Sequence, residues 1–188
     1  MSARAGLDRQ SIVVAAARIA DLNGLDKITL AAVANLLGVR KPSLYNHING
    51  LPELKGLLAV WGTHELIAKI TAAAIGKAKQ DAIKAIASAY RSFAHERPGL
   101  YRAIVSSPDR NNQELQAAIR SMMAVISAVL EPYNLVDSDA THAVRGLRSL
   151  MHGFVSLEAA GWFAVPLDRE ESYRRLIDTF IRGLDTSS

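Results

Sequence analysis

An all-α protein of about nine helices is what this sequence predicts, and three observations carry the prediction. Apolar residues recur at three- and four-residue spacing through nearly every periodic segment. Alternating runs of β-branched residues, the mark of half-buried strands, do not occur. Alanine and leucine, both strong helix formers, dominate the composition.

The first helix is expected from about Asp8 to Leu22, with Ile12, Ala16, Ile19 and Ala20 on one face and Asn23-Gly24 as its stop. Thr29 is an N-cap residue type, and a short second helix follows it as far as Gly38. A third short helix starts near Lys41-Pro42, because proline suits a first helical turn. A longer fourth helix runs from about Leu51-Pro52 to Gly76. The next spans about Asp81 to His95 and carries Ile83, Ile86, Tyr90 and Phe93. Pro98 opens a short piece through Val105, and Ser106–Asn112 reads as a loop. Between Gln113 and Leu130 the apolar face is Leu115, Ile119, Met122, Ile126 and Val129, and Pro132 ends it. Ser138 or Asp139 is expected to cap a long helix reaching about Phe163. Asp168 and Glu171 have capping-box-like spacing ahead of the last helix, which carries Leu176, Ile177, Phe180 and Leu184.

With 188 residues, 49% hydrophobic and 21% charged, the chain has a globular balance and length for one large or two small domains. It has no cysteine, which excludes disulfides, Cys-based zinc sites, iron–sulfur clusters and a Cys nucleophile. A net charge of +4 is a weak pointer to an anionic partner; its placement says more. Residues 1–50 hold Arg4, Arg9, Arg18, Lys27, Arg40 and Lys41 against only Asp8, Asp21 and Asp26, so the basic excess is N-terminal. Arg4 and Arg9 read either as a flexible basic arm or as ordinary solubilising charges. Ile12–Ala17 follows two arginines like a signal peptide, but Arg18 and Asp21 interrupt it and its helical spacing favours an amphipathic core helix. No stretch reaches the roughly 18 uncharged apolar residues of a spanning helix. A soluble, cytoplasmic protein with no membrane partner is expected.

The informative stretch is Thr29–His47, T-L-A-A-V-A-N-L-L-G-V-R-K-P-S-L-Y-N-H. It reads as two short helices joined by a tight turn. Ala34 falls where the helices cross closely, and Gly38 can take the positive φ that the turn demands. Val33, Leu37, Val39, Leu44 and Ile48 supply the apolar face. This is the helix-turn-helix pattern, whose second helix can enter a DNA major groove. Arg40, Lys41, Pro42, Ser43, Tyr45, Asn46 and His47 lie on or before that helix. Arg and Lys can release counterions from phosphates or pair with guanine, and Ser, Tyr and Asn can donate to phosphate oxygens. Asn can also read adenine, and a helix N-terminus adds partial positive charge near a phosphate.

On T-L-A-A-V-A, L-G-V and P-S-L-Y-N-H-I with a following helix, residues 8–60 resemble the TetR family of bacterial transcriptional regulators. The resemblance implies an all-α homodimer with an N-terminal DNA-binding domain. It also implies a variable C-terminal domain that binds a small effector and dimerises through the last two helices, the effector releasing a repressor from its operator. The implied domains are residues 8–67 and 68–188. Carried over residue by residue, Thr29 would contact phosphate and Tyr45 and His47 would grip the backbone. Arg40, Lys41, Ser43 and Asn46 would mix base and phosphate contacts. Many relatives carry Lys at the start of the fourth helix where Leu51 stands here; Lys55, one turn on, is the candidate substitute. L-M-H-G-F-V-S-L-E-A-A-G-W-F resembles one C-terminal subclass, with a His-Gly pair in the penultimate helix.

The C-terminal part holds a set of aromatic and methionine residues. Trp61, Tyr90, Phe93, Tyr101 and Met122, with His64 and His152 as polar anchors, form the candidate effector pocket, although such a stripe is equally an ordinary core. The last two helices carry wide apolar faces that a symmetric four-helix interface would bury, unless the preceding helices cover them. Enzyme signatures are missing. His64-Glu65 and His95-Glu96 lack the second histidine of a zinc-protease helix, and no Walker A, dinucleotide or G-x-S-x-G pattern occurs. His142 and His152 are too far apart on one helix to share a metal. No enzymatic activity, cofactor or metal is expected. The competing function is a dimeric helical small-molecule binder whose helix-turn-helix no longer engages DNA.

Overall fold

Capping and burial together explain the elements of the computed structural model, which describes residues 7–106 and 111–185. Arg4 and residues 107–110 of the expected loop lie outside the described residues. Helix α1 (Arg9–Asn23) starts at a capping box: the Asp8 carboxylate accepts the Ser11 N–H at 2.7 Å, and Ser11 Oγ accepts the Asp8 N–H at 3.1 Å. Its buried stripe is Ile12, Val13, Ala16, Ala17, Ile19 and Ala20. A 3₁₀ turn at Leu25–Lys27 leads into α2 (Leu30–Leu37), capped by Thr29 Oγ1 accepting the Ala32 N–H at 3.0 Å.

Gly38 ends α2 in the left-handed conformation expected of it, at φ +67° and ψ +29°. The Gly38 N–H donates to the Asn35 carbonyl at 3.2 Å and the Val39 N–H to the Ala34 carbonyl at 3.0 Å. This paired closure satisfies the last carbonyls while reversing the chain. Ala34 is buried, as the close crossing requires. Helix α3 (Lys41–Leu44) is a single turn, and α4 (Leu51–Ala74) follows. Then come α5 (Lys79–Glu96), α6 (Pro98–Val105), α7 (Gln113–Leu130), a 3₁₀ turn at Glu131–Tyr133, α8 (Asp137–Ala159) and α9 (Arg169–Asp185). The described residues thus form nine α-helices and no strand. None of these helices is long and apolar enough to cross a membrane.

Two details of the C-terminal helices differ from the sequence reading. Ser138 and Asp139 lie inside the first turn of α8 rather than at its cap, and Val136 at the cap position offers no side-chain bond. The helix stops at Ala159 instead of Phe163 because Gly161, at φ +74°, closes it. There the Trp162 N–H reaches the Leu157 carbonyl at 3.0 Å and the Gly161 N–H the Glu158 carbonyl at 3.1 Å. At α9 the capping box forms only in part. Asp168 accepts the Glu170 N–H at 2.9 Å, but the Glu171 carboxylate is drawn forward to Arg174 and Arg175.

Packing divides the chain into two compact units. The described residues up to Glu65 join Glu96–Ile119 in one, and Leu66–His95 join the described residues from Arg120 onward in the other. By chain order α6 belongs with the C-terminal helices; by contact it belongs with α1. The reason is a backbone-to-backbone approach. A Cβ on Gly99 would lie 2.1 Å from the Ala20 carbonyl carbon and 2.5 Å from the Asp21 nitrogen. Arg97, at the α6 N-cap, provides no capping side chain. Asp21 of α1 does so instead, with Oδ1 accepting the Leu100 N–H at 2.9 Å and Oδ2 the Arg97 Nε–H at 2.6 Å. Gly62 of α4 meets Leu100 from the other side, where a Cβ would lie 2.9 Å from its side chain.

In the second unit, the Tyr173 hydroxyl of α9 donates to the Ala87 carbonyl of α5 at 2.9 Å. The Phe154 ring lies 4.8 Å from Phe163 and 4.9 Å from Tyr173, centre to centre. Gly99→Ala is expected to destabilise the fold by about 2 kcal/mol or more, because the added methyl meets backbone that cannot rotate away. Asp21→Ala should cost about 1–3 kcal/mol by orphaning the Leu100 amide and the Arg97 guanidinium. Urea unfolding at one fixed protein concentration measures both.

Candidate nucleic-acid interface

The helix-turn-helix is built by dividing nine consecutive residues, Arg40 to Ile48, into inward and outward sets. Leu44 and Ile48 are fully buried, together with Val33 of α2, whereas Leu37 and Val39 are half-buried. The inward anchors leave Arg40, Lys41, Pro42, Tyr45 and Asn46 exposed, with Ser43 and His47 partly so. Tyr45 exposes 53% of its surface, a large amount for an aromatic residue in such a small element. The cations Arg40 and Lys41 form no ion pair among the described residues, so both are available to an anion. Thr29 is exposed at the start of α2; its oxygen accepts the Ala32 N–H, which leaves the hydroxyl proton to donate outward. Leu51 is half-buried at the start of α4 and supplies no charge there, while Lys55, one turn later, is exposed.

Local backbone bonds close the reading turn, among them the Tyr45 N–H to the Pro42 carbonyl at 3.2 Å. The Ser43 N–H donates to the Arg40 carbonyl at 2.9 Å, and the His47 and Ile48 amides both reach the Leu44 carbonyl, at 2.9 and 3.0 Å. Two residues outside the expected set complete the element. Arg9 sends Nε–H to the His47 carbonyl at 3.2 Å and its NH2 group to Glu53 Oε1 at 3.1 Å. Glu53 Oε2 accepts the Asn49 N–H. Arg9 is therefore pinned, not part of a flexible arm. The only sequence-level trace of this arrangement is an opposite-charge pair in the first turns of α1 and α4. Asp8 is held below the usual carboxylate range by its bonds to Ser11, with a smaller contribution from nearby His47.

The candidate effector residues fall in both units. Trp61, His64 and Tyr101 belong to the first: Trp61 is half-buried with the Arg97 guanidinium 5.3 Å from its ring centre, His64 is exposed and Tyr101 is buried. Tyr90, Phe93, Met122 and His152 belong to the second, the first three buried and His152 half-buried. Burial, and then Arg148, push the His152 pKa down, which favours the neutral ring. Three cavities described in the second unit are lined by other residues. One of about 470 Å³ lies along α8 and α9, with Leu150, Leu176 and Phe180 in its walls. Another of about 780 Å³ lies by Ala124, Ser127 and Val144. A third, of about 240 Å³, lies by Phe154, Trp162 and Leu167.

Beside the third cavity sits an ion network, centred on a largely buried Arg91–Glu158 pair, that the residue pattern did not disclose. Arg91 of α5 grips Glu158 of α8 through two bonds of 2.9 and 2.7 Å, and it also reaches Glu170. His95 Nε2 lies 2.8 Å from Glu158 Oε2, the oxygen that also accepts the Arg91 Nε–H. The Arg91 guanidinium lies 5.8 Å from the Phe154 ring centre and 5.5 Å from that of Tyr173. The Arg91 bond lowers the Glu158 pKa despite an opposing effect of burial, and the same bond raises that of Arg91. Burial pushes the Tyr173 phenol well above its ordinary value.

A left-handed glycine turn between two short helices, with unpaired cations outward and leucine and isoleucine inward, defines a helix-turn-helix protein. Comparison with known proteins makes the assignment specific. Residues 83–180 match the family model described as tetracyclin repressor-like, C-terminal domain. The chain is 39% identical over 184 residues to an uncharacterized HTH-type transcriptional regulator of Bacillus subtilis (strain 168), YobS, covering 98% of this chain and 96% of that protein. A protein with unknown function from Rhodococcus sp. RHA1 has the same fold, with a TM-score of 0.82, 22% identity, and coverage of 94% of this chain and 95% of that one. So does the TetR family protein ActR of Streptomyces coelicolor in complex with (S)-DNPA, with a TM-score of 0.69, 18% identity, and coverage of 97% and 99%. This chain belongs to the TetR family of transcriptional regulators.

The Glu158 carboxylate titrates lower folded than unfolded. Its contribution is therefore complete above the ordinary carboxylate value and is lost as pH falls through the depressed one. Glu158→Gln should cost about 2 kcal/mol at neutral pH, since it leaves Arg91 poorly paired. It should also flatten the fall in stability below about pH 4.5, and thermal melts across pH 3–7 test both effects.

Proposed function

We propose that the chain is a ligand-released repressor that grips a pseudo-palindromic operator as a homodimer. The observation that carries this reading is the outward set on and around α3: two cations without an ion pair among the described residues and four hydrogen-bonding side chains, held over a buried Leu44–Ile48 anchor. Residues 8–67 are the proposed DNA-binding domain. Arg40, Lys41, Ser43 and Asn46 are its base and phosphate contacts, with Pro42 beginning the reading turn. Thr29, Tyr45, His47 and Lys55 hold the backbone of the duplex. Such a surface attracts duplex DNA mainly through counterion release and reads sequence with a few side chains.

Residues 68–188 form the proposed regulatory and dimerisation domain. The apolar groove along α8 and α9, with Leu150, Leu176 and Phe180 half-buried in it, supports pairing with the same helices of a second copy. That symmetry would set two reading elements about one DNA turn apart, roughly 34 Å. ActR has been solved in complex with (S)-DNPA, and we extend ligand control to this chain. Tyr90, Phe93, Met122 and His152 are the proposed ligand contacts in the second unit. A ligand that prefers a wider spacing of the two elements shifts the population away from the bound form, by as much as its affinities for the two states differ. The chain acts by binding, not by catalysis, in the cytoplasm and on the nucleoid.

The test is duplex binding as a function of salt. Affinity should fall steeply as salt rises. In a dimer, Arg40→Ala with Lys41→Ala removes up to four phosphate contacts and should reduce the log–log slope by about 3–4. Equal slopes for wild type and variant would count against these contacts, and a wild type with no salt-dependent duplex binding would leave the small-molecule binder as the reading.

A further inference from the structure

The one-turn α3 cannot hold its own position. A helix this short is far below the length at which an isolated helix is stable in water. Buried Leu44 and Ile48 fix its depth, and Gly38 fixes its entry. Its exit, residues 45–50, carries Tyr45, Asn46 and His47 and has no regular helix to stiffen it. Here the Arg9–Glu53 pair acts at both ends of a three-residue stretch. One guanidinium serves two acceptors, the His47 carbonyl and Glu53 Oε1. The second Glu53 oxygen takes the Asn49 N–H. The first turn of α1 and the first turn of α4 thus hold the backbone on either side of Ile48.

We propose that Arg9 and Glu53 form a positioning clamp that presents the exit of the reading turn to the duplex, without touching it for affinity. The proposal rests on the DNA-binding reading above. Three features argue for position over bulk stability. The Arg9 and Glu53 side chains are 58% and 27% exposed, where an ion pair contributes little to folding. Both partners bond backbone as well as each other, so the pair constrains chain geometry and not merely charge. A carboxylate beside a DNA-binding turn is also unfavourable for phosphate binding, so its presence needs a compensating role.

That last point gives the test its sign. Glu53→Ala removes a negative charge, so charge alone predicts tighter binding, whereas the clamp predicts weaker binding. On a duplex selected by the wild-type chain from a random-sequence pool, we expect about five- to thirty-fold weaker binding, a few-fold from each subunit of a dimer. Arg9→Lys keeps the charge but replaces the rigid Nε and NH2 fork with a single nitrogen on a flexible stem, and it should weaken binding similarly. The double variant, Arg9→Lys with Glu53→Ala, should bind no more weakly than either single variant, showing non-additivity. Melting temperatures should stay within a few degrees of wild type, and the salt slope should not change because no phosphate contact is lost. Tighter or unchanged binding by Glu53→Ala overturns the clamp. So does wild-type affinity in Arg9→Lys, or a slope that falls by about one contact per subunit in Arg9→Ala, which would make Arg9 a phosphate ligand. If the wild type selects no duplex, the DNA-binding reading has failed and the free protein decides. The clamp then requires Asn49 amide exchange about tenfold or more faster in Glu53→Ala, and an unchanged rate overturns it.

Discussion

The N-terminal unit depends on one helix with a nearly flat face. The buried stripe of α1 is alanine at four positions, Ala15, Ala16, Ala17 and Ala20, set between Ile12, Val13 and Ile19. Short side chains let neighbouring backbones approach closely, and at Ala20 the approach of α6 is so close that only glycine fits at position 99. The same helix therefore supports α2 and the reading turn, receives α6, and supplies from Asp21 the cap that α6 lacks. A larger residue in the stripe would lift several elements at once. Close backbone contact gains little per atom from the hydrophobic effect, but it leaves few alternative arrangements, and that uniqueness is what a reading surface needs.

Polar groups in the two units do different work. At Asp21 and at Arg91–Glu158 the charges are largely removed from water and each is met by several partners. Breaking one side of such a set strands the other, so these residues resist change even though the pair as a whole contributes modestly to stability. The Arg174–Glu171–Arg175 set on α9 is the opposite case. Its bonds lower the Glu171 pKa to about 2, yet the group is open to solvent and screened by salt.

The sequence disclosed what is local and repeated. Helix positions follow from periodicity, and the left-handed Gly38 follows from a turn that no side-chain-bearing residue makes comfortably. The inward role of Leu44 and Ile48 follows from spacing alone. What it hid is long-range. Nothing near Gly99 marks it as facing Ala20, seventy-nine residues away in the chain. Arg91 could not be assigned to Glu158 because helical charges at such separations pair in many equally plausible ways. Ser138 and Asp139 illustrate a nearer limit: both are capping types, and the chain enters the helix two residues too early for the first and three too early for the second. The expected aromatic pocket met a related ambiguity. Tyr90, Phe93 and Met122 have the composition of a ligand site and of a close-packed core alike, and buried as they are, only a ligand can separate the two.

The shortness of α3 gathers these points into one consequence. Four residues provide no cooperative helix, so the reading element owes its shape to what surrounds it: a glycine closure before it, two buried side chains beneath it, and hydrogen bonds from α1 and α4 after it. On the proposed reading, the residues that would meet DNA and the residues that place them are then different residues. Substitution in the first group changes which contacts are made. Substitution in the second changes whether the same contacts can be made together, and this can occur with the fold intact and every base-reading side chain still present.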